Sequence, residues 1–465
     1  MTPETITIEG EFTREQEKIY LDLPFDVPEG FNRLEVELGY SDRIGSEPFL
    51  EGGNTIDLGI FDERGSQFLT SGFRGWSGSE RLQIAIGEDE ATPGYLAGPI
   101  NPGRWAIHLG LYKIGPQGCH YRIKIKLSEV VQSPARSSSQ NSGTDLPTSQ
   151  PTAPFAPWLR GELHAHTQHS DGELSVEAIL GLARQKGLDF IALTDHNTIS
   201  SQLALSKCSD PGLILLRGVE VTTFKGHFNV WGIRDWIDFR IQRPDDLKSA
   251  LQRAADLGGL VSCNHPKPYG PAWDYPEITQ FDCLEVWNGP WEVINDIALE
   301  YWLSLLASGR RITAVGGSDY HRAGELWGEA ERQLGSPANW VYVPGEINAK
   351  SILQSIRDGH VCLSDKPSGP LLSIAAGDKQ AYLPGDCVRL DPNGSLTLRA
   401  SCRVGDGGHL RVLNQNGLVY EQAVNDPVFT RDISLKALDS LYVRAELRAP
   451  DGHMRALTNP IYLAK

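Results

Sequence analysis

From Trp158 to about Ser364 one pattern repeats: a short apolar run, then a segment of helical period, then another apolar run. FIALT, LILLRGVEV, LVSCN, CLEVW and RITAVGG are continuous rather than alternating, which fits strands covered on both faces of a parallel sheet. SVEAILGLARQKG, LKSALQRAADLG and INDIALEYWLSLLASG lie between some of them. In the first, Val176, Ile179, Leu180 and Ala183 recur at i, i+3, i+4 and i+7, with Ser175 as the N-cap and Gly187 just past the end. Alternating β and α units over about 200 residues leave two architectures open, a parallel barrel or a doubly wound sheet.

Ligand-type side chains sit where the strands end. Of the 12 His, seven fall between positions 164 and 321. His164 and His166 are two apart, so on an extended strand both imidazoles point to one face. Asp171 comes five residues on, Asp195 and His196 follow FIALT, Glu220 follows LILLRGV, and His227 is seven residues later. His265 follows LVSCN, and Asp319 and His321 follow RITAVGGS. In a parallel barrel those strand ends converge on one rim. Six imidazoles and three carboxylates there exceed the ~4–6 donors that one zinc or manganese ion takes. Two or three ions bridged by a carboxylate such as Glu220 would use them all, and would offset the cost of burying the carboxylates. Asp195 is expected to orient an imidazole, and His169 to be a loop residue or one that backs the ligands.

No GxSxG elbow offers a serine nucleophile, so water is the expected attacking group. Lys267, two residues after His265, and Arg322, directly after His321, are candidate holders of phosphate oxygens. Trp273 and Tyr275 are candidate walls for an organic group.

ELHAHTQHSDG, LTDHNTI, GVEVTTFKGH, CNHP and GGSDYH together resemble the PHP family, the polymerase and histidinol phosphatase metallohydrolases. RGWSGSER, GYLAGPINPGRW and ALTNPIYL resemble the flanking β parts of its CehA/McbA-type branch. The resemblance implies a distorted (β/α)7 barrel over 158–365 that carries up to three divalent metals, of manganese, zinc or iron. It also implies the ligand sets. One ion would take His164, His166, Glu220 and Asp319. A second would share Glu220 and take His227 and His265. A third would take Asp171, His196 and His321. The activity implied is phosphoester hydrolysis, of a phosphodiester or a small phosphomonoester. Carbamate or carboxyl ester hydrolysis at the same metals is the alternative, and a non-catalytic binding protein a further one.

The flanks read differently. Residues 1–130 carry TIDLGIF, RLQIAIG, RWAIHLGLY and similar runs that alternate apolar with polar, and 366–465 return to the same pattern. A β-sandwich is expected on each side. Residues 131–157, rich in Ser, Pro and Thr, read as a linker. Every candidate residue lies beyond Trp158, so the sequence leaves the role of the flanks open. The formal net charge of −16 disfavours long nucleic acid as a partner and leaves a small molecule as the expected one. No apolar run nears the ~18 residues that span a bilayer. MTPETITIEGEF lacks the features of a secretory leader, and the scattered cysteines read as reduced thiols, so the expected setting is cytoplasmic.

Overall fold

A computed structural model describes residues 2–47, 49–130, 146, 155, 157–208, 212–268, 272–327, 330–377, 381–403 and 408–464. The expected linker lies almost wholly outside them.

Two four-stranded antiparallel sheets fill residues 4–128. In the strand Thr55–Phe61, Ile56, Leu58 and Ile60 join the core between the two sheets, together with Ile107, Leu109 and Leu111 of its neighbour Gly103–Lys113. Period-2 alternation puts Asp57, Gly59 and Phe61 on the other face. That face is covered: Phe61, Phe73 and Trp76 pack into the core of the middle part, where Phe73 stacks on Trp236 with centroids 4.3 Å apart.

The middle part is mixed α/β. Its strands run in the order Thr313–Gly317, Cys283–Asn288, Leu260–Cys263, Gly226–Trp231, Ile214–Thr223, Phe190–Leu193, Trp158–Glu162. Neighbours are parallel except for Gly226–Trp231, which is antiparallel on both sides. The helix Val176–Gln185 buries the expected four residues; Ser175 Oγ accepts Ala178 N–H at 3.2 Å, and Gly187 follows at φ +74.

The two ends of this row do not meet in a regular ladder. The outer edge of Thr313–Gly317 is satisfied by side-chain amides instead. Asn339 accepts from Gly316 N–H at 2.9 Å and donates to Gly316 O at 2.7 Å, and Asn459 treats Ala314 the same way at 2.7 and 2.8 Å. A parallel bridge between Ala165 and Tyr320 then links the segments beyond the strands. Glu162, fully buried, ties that junction by accepting from the amides of His164, Ser318 and Gly335 at 2.8–3.1 Å.

Beyond Trp158–Glu162 the same sheet continues, all antiparallel, through Ala338–Tyr342 and Val361–Ser364 into Met454–Thr458, Tyr442–Arg448, Gly408–Asn414 and Gly417–Val424. A three-stranded sheet, Leu371–Ala376 with Ser395–Arg403 and Phe429–Lys436, shares a core with its far end. The C-terminal part has two layers over a shared core. One of its layers continues the sheet that carries the ligand-type residues. Among the described residues no helix is long and apolar enough to cross a membrane.

Candidate metal centre

His164 and His166 stand just past the strand Trp158–Glu162, on either side of the bridging Ala165. Glu220 lies within Ile214–Thr223, and Asp319 just past Thr313–Gly317. His164 Nε2 is 3.3 Å from both Glu220 Oε2 and Asp319 Oδ1; His166 Nε2 is 3.5 and 3.0 Å from the same two oxygens. These four residues offer ligand atoms within 4.8 Å of one another, as do His166, Asp171, His196 and His321, and as do His196, Glu220 and His227. His265 Nε2 and His227 Nδ1 approach Glu220 Oε1 at 3.4 and 3.3 Å. All nine residues singled out as ligands thus meet in one cluster around Glu220. Their sharing differs from the implied sets, because His166 and His196 each stand in two groups.

The chemistry of the cluster fits divalent cations. His164 Nε2, Glu220 Oε2, Asp171 Oδ1 and both ring nitrogens of His227 are buried without a hydrogen-bond partner. Buried polar atoms are normally paired, and five unpaired ones of the metal-ligating types in one cluster call for a cation. Burial, then His321 and His196 nearby, pushes His166 down to about 4, which keeps its imidazole in the neutral form that ligates. Asp319 at φ +52 and His265 at φ +26 hold the disfavoured left-handed region, the kind of backbone strain that functional sites tolerate.

A surrounding layer holds these side chains in place. Glu285 Oε1 lies 2.9 Å from His164 Nδ1, and its Oε2 accepts His265 N–H at 3.0 Å. A carboxylate there fixes the imidazole tautomer and leaves Nε2 as the ligand atom. Asn264 Nδ2 donates to Glu220 Oε1 at 2.8 Å. Fully buried Arg332 sets Nη1 3.3 Å from Asp319 Oδ2. Sequence reasoning passed over all three. Glu285 had a signal, a lone carboxylate inside the apolar run CLEVW that has to find a partner once buried. Arg332, in a segment with no strand or ligand motif, had none. Asp195 does not touch an imidazole. It accepts from Thr167 N–H and Ser170 Oγ at 2.8 Å and so fixes the turn before Asp171; Ser170 Oγ in turn is 3.5 Å from His166 Nδ1. His169 stays outside the cluster, 2.8 Å from Ser200 Oγ.

Of the two candidate cations, Arg322 lines the cavity over the cluster and Lys267 does not. Lys267 is buried, and its Nζ donates to Asn288 O, Val293 O and Asn295 Oδ1 at 2.9–3.1 Å. Burial pushes its ammonium down to about 7. Its role here is to hold the 288–295 turn. The aromatic expectation also moves. Tyr275 is buried with its hydroxyl 3.1 Å from Thr223 Oγ1, and Trp273 packs against Tyr275 and Phe281; neither lines the cavity. The cavity, about 420 Å³, takes its aromatic wall from Tyr20, Trp76 and Tyr112 of the N-terminal part and from Phe224.

Residues 162–309 match the PHP domain. An uncharacterized protein of Methanocaldococcus jannaschii is 26% identical over 159 residues, covering 30% of this chain and 90% of that protein. Among solved structures, a two-domain protein from Bacteroides vulgatus, named for a PHP-like metal-dependent phosphoesterase, is 17% identical over 65% of this chain and 95% of its own, with a TM-score of 0.36. A protein of Bifidobacterium adolescentis, named for a metal-dependent phosphoesterase, is 16% identical over 42% of this chain and 96% of its own, with a TM-score of 0.28. An amidohydrolase of Chromobacterium violaceum is 17% identical over 37% and 91%, with a TM-score of 0.27. The middle of the chain carries a PHP domain, and the candidate metal centre is built on that domain together with Asp319 and His321, which lie just beyond the matched residues.

Proposed function

We propose that this protein is a metal-dependent phosphoesterase acting on a phosphodiester or small phosphomonoester. The observation that carries the reading is the set of unpaired buried ligand atoms gathered around Glu220 beneath a cavity that Arg322 and Arg332 also line. The nine clustered residues would hold two to three divalent ions of manganese, zinc or iron. Such ions, when bound, supply Lewis acidity and a water acidified toward neutral pH. The chain supplies the rest. Glu285 keeps the His164 ring oriented, Arg332 keeps Asp319 ionised, and Arg322 offers its guanidinium to the non-bridging oxygens of an anionic substrate. A cavity of about 420 Å³ in a chain of net charge −16 suits a small molecule. A cytoplasmic setting belongs to the same proposal and rests on seven cysteines, none of them in a disulfide.

Arg322 separates this reading from carbamate or carboxyl ester hydrolysis, because a neutral acyl group has no second anionic oxygen for it. The test uses manganese- or zinc-reconstituted protein on bis(p-nitrophenyl) phosphate and an aryl carbamate. Wild type should cleave the phosphodiester, and Arg322→Ala should lower its kcat/KM by about 10²–10³-fold while sparing any carbamate turnover. Cleavage of the carbamate alone, or equal loss on both substrates, overturns the phosphoesterase reading.

A further inference from the structure

The cavity has two unlike walls. One carries the ligand-type residues with Arg322 and Arg332. The other comes from the N-terminal sandwich and presents Glu47, Asp57 and Glu80 with no Lys or Arg among its lining residues. Asp57 is half-buried, on the strand face turned away from the sandwich core. It makes no hydrogen bond or ion pair within 4.0 Å among the described residues, and burial pushes its carboxyl up to about 7, with Lys18 pulling it back. Lys18 lies outside the cavity, its Nζ 3.4 Å from the Tyr112 ring centroid.

Aromatic rings flank this carboxylate. Tyr20 stacks on Phe224 with centroids 4.4 Å apart and meets Trp76 edge-on at 6.3 Å. Gly110, the cross-strand partner of Asp57, keeps the spot open. A Cβ there would stand 2.9 Å from Asp57 Oδ2 and 3.0 Å from the Trp76 ring. A carboxylate with no ion pair within 4.0 Å, beside Trp76 on a wall whose other charged groups are also acidic, is a composition that attracts an organic ammonium by charge and by the neighbouring indole.

We propose that Asp57, with the flanking Tyr20 and Trp76, forms a subsite for an ammonium group on the organic arm of the substrate, so that the N-terminal sandwich sets specificity while the middle part carries the chemistry. The proposal rests on the phosphoesterase reading: the phosphoryl group faces the metal wall and the cationic arm the other.

The experiment compares p-nitrophenyl phosphorylcholine with its uncharged 3,3-dimethylbutyl analogue, on metal-reconstituted wild type and Asp57→Asn. Wild type should favour the choline ester in kcat/KM by about 10-fold or more, and Asp57→Asn should erase that preference while leaving the uncharged ester within about threefold. Equal rates on both esters in wild type overturn the subsite. Loss on both esters alike in Asp57→Asn also overturns it, since Asp57 would then serve the chemistry or the fold. Binding is read separately, from tryptophan fluorescence during titration with phosphorylcholine and 3,3-dimethylbutyl phosphate. An ammonium preference that Asp57→Asn removes sustains the subsite even if no phosphoester is turned over, in which case the phosphoesterase reading falls alone. Equal binding of the two overturns the subsite whatever the turnover.

Discussion

Arg81 of the N-terminal sandwich donates through Nη1 to the carbonyl of Ser170 at 2.6 Å, one residue before the candidate ligand Asp171. Its Nη2 donates to Gln168 O at 2.7 Å, so one guanidinium grips both ends of the turn that presents Asp171. The sandwich therefore lines the cavity and also braces a ligand loop. Hydrogen bonds from a charged donor are worth about 1.5–3 kcal/mol each. Arg81→Ala should lower kcat/KM by about 10-fold or more and weaken metal retention, with far-UV circular dichroism unchanged. Full activity and full metal in that variant would show that the turn holds itself.

Glu220 is the residue on which the cluster converges, within 3.5 Å of five imidazoles. Glu220→Gln keeps the shape and removes the charge that two cations would share. Elemental analysis should show at least two divalent ions per wild-type chain and fewer in the variant, with turnover down by more than about 100-fold. Full metal with more than a tenth of wild-type turnover would exclude a bridging role.

Glu285 acts through His164 and should contact neither substrate nor metal. Glu285→Gln keeps the side-chain volume but lets the ring adopt the wrong tautomer. Metal affinity, measured by chelator competition, should fall by about 10–100-fold. The same variant saturated with metal should recover most of its kcat, which a residue working directly on substrate would not allow.

Lys267 gives the opposite expectation. Its three acceptors belong to the 288–295 turn. Lys267→Met removes the donor to Val293 O, while Asn288 O and Asn295 Oδ1 each keep a donor from the other residue, at a cost of about 1–3 kcal/mol. The melting temperature should drop by roughly 2–12 °C, at about 2–4 °C per kcal/mol for a domain of 150–250 residues. Activity per metal-loaded molecule should change little. A selective loss of kcat/KM on phosphoesters without loss of stability would return Lys267 to the substrate.

Much of this arrangement was legible in the sequence because it is local. Strand period sets where a run ends and which face its residues share, so the nine ligand-type residues could be picked out one by one. Helix period and a capping serine gave Val176–Gln185 its face and its start. Alternation in TIDLGIF separated the core-facing Ile56, Leu58 and Ile60 from Asp57, Gly59 and Phe61.

What tertiary structure decided is everything that joins remote segments. Alternation cannot say whether a polar face meets water or another domain, so the cover over Asp57 and Trp76 was invisible. Proximity to His265 along the chain placed Lys267 near the site, yet the turn after His265 sends its ammonium to two backbone carbonyls and a side-chain amide oxygen 21 to 28 residues away. Strand propensity could not reveal that the outer edge of Thr313–Gly317 is satisfied by Asn339 and Asn459, or that the sheet of this row runs on into the C-terminal strands. Sequence periodicity records which face a side chain takes within its own element. Which elements face one another depends on packing between distant parts of the chain, and that packing chose the wall opposite the metals.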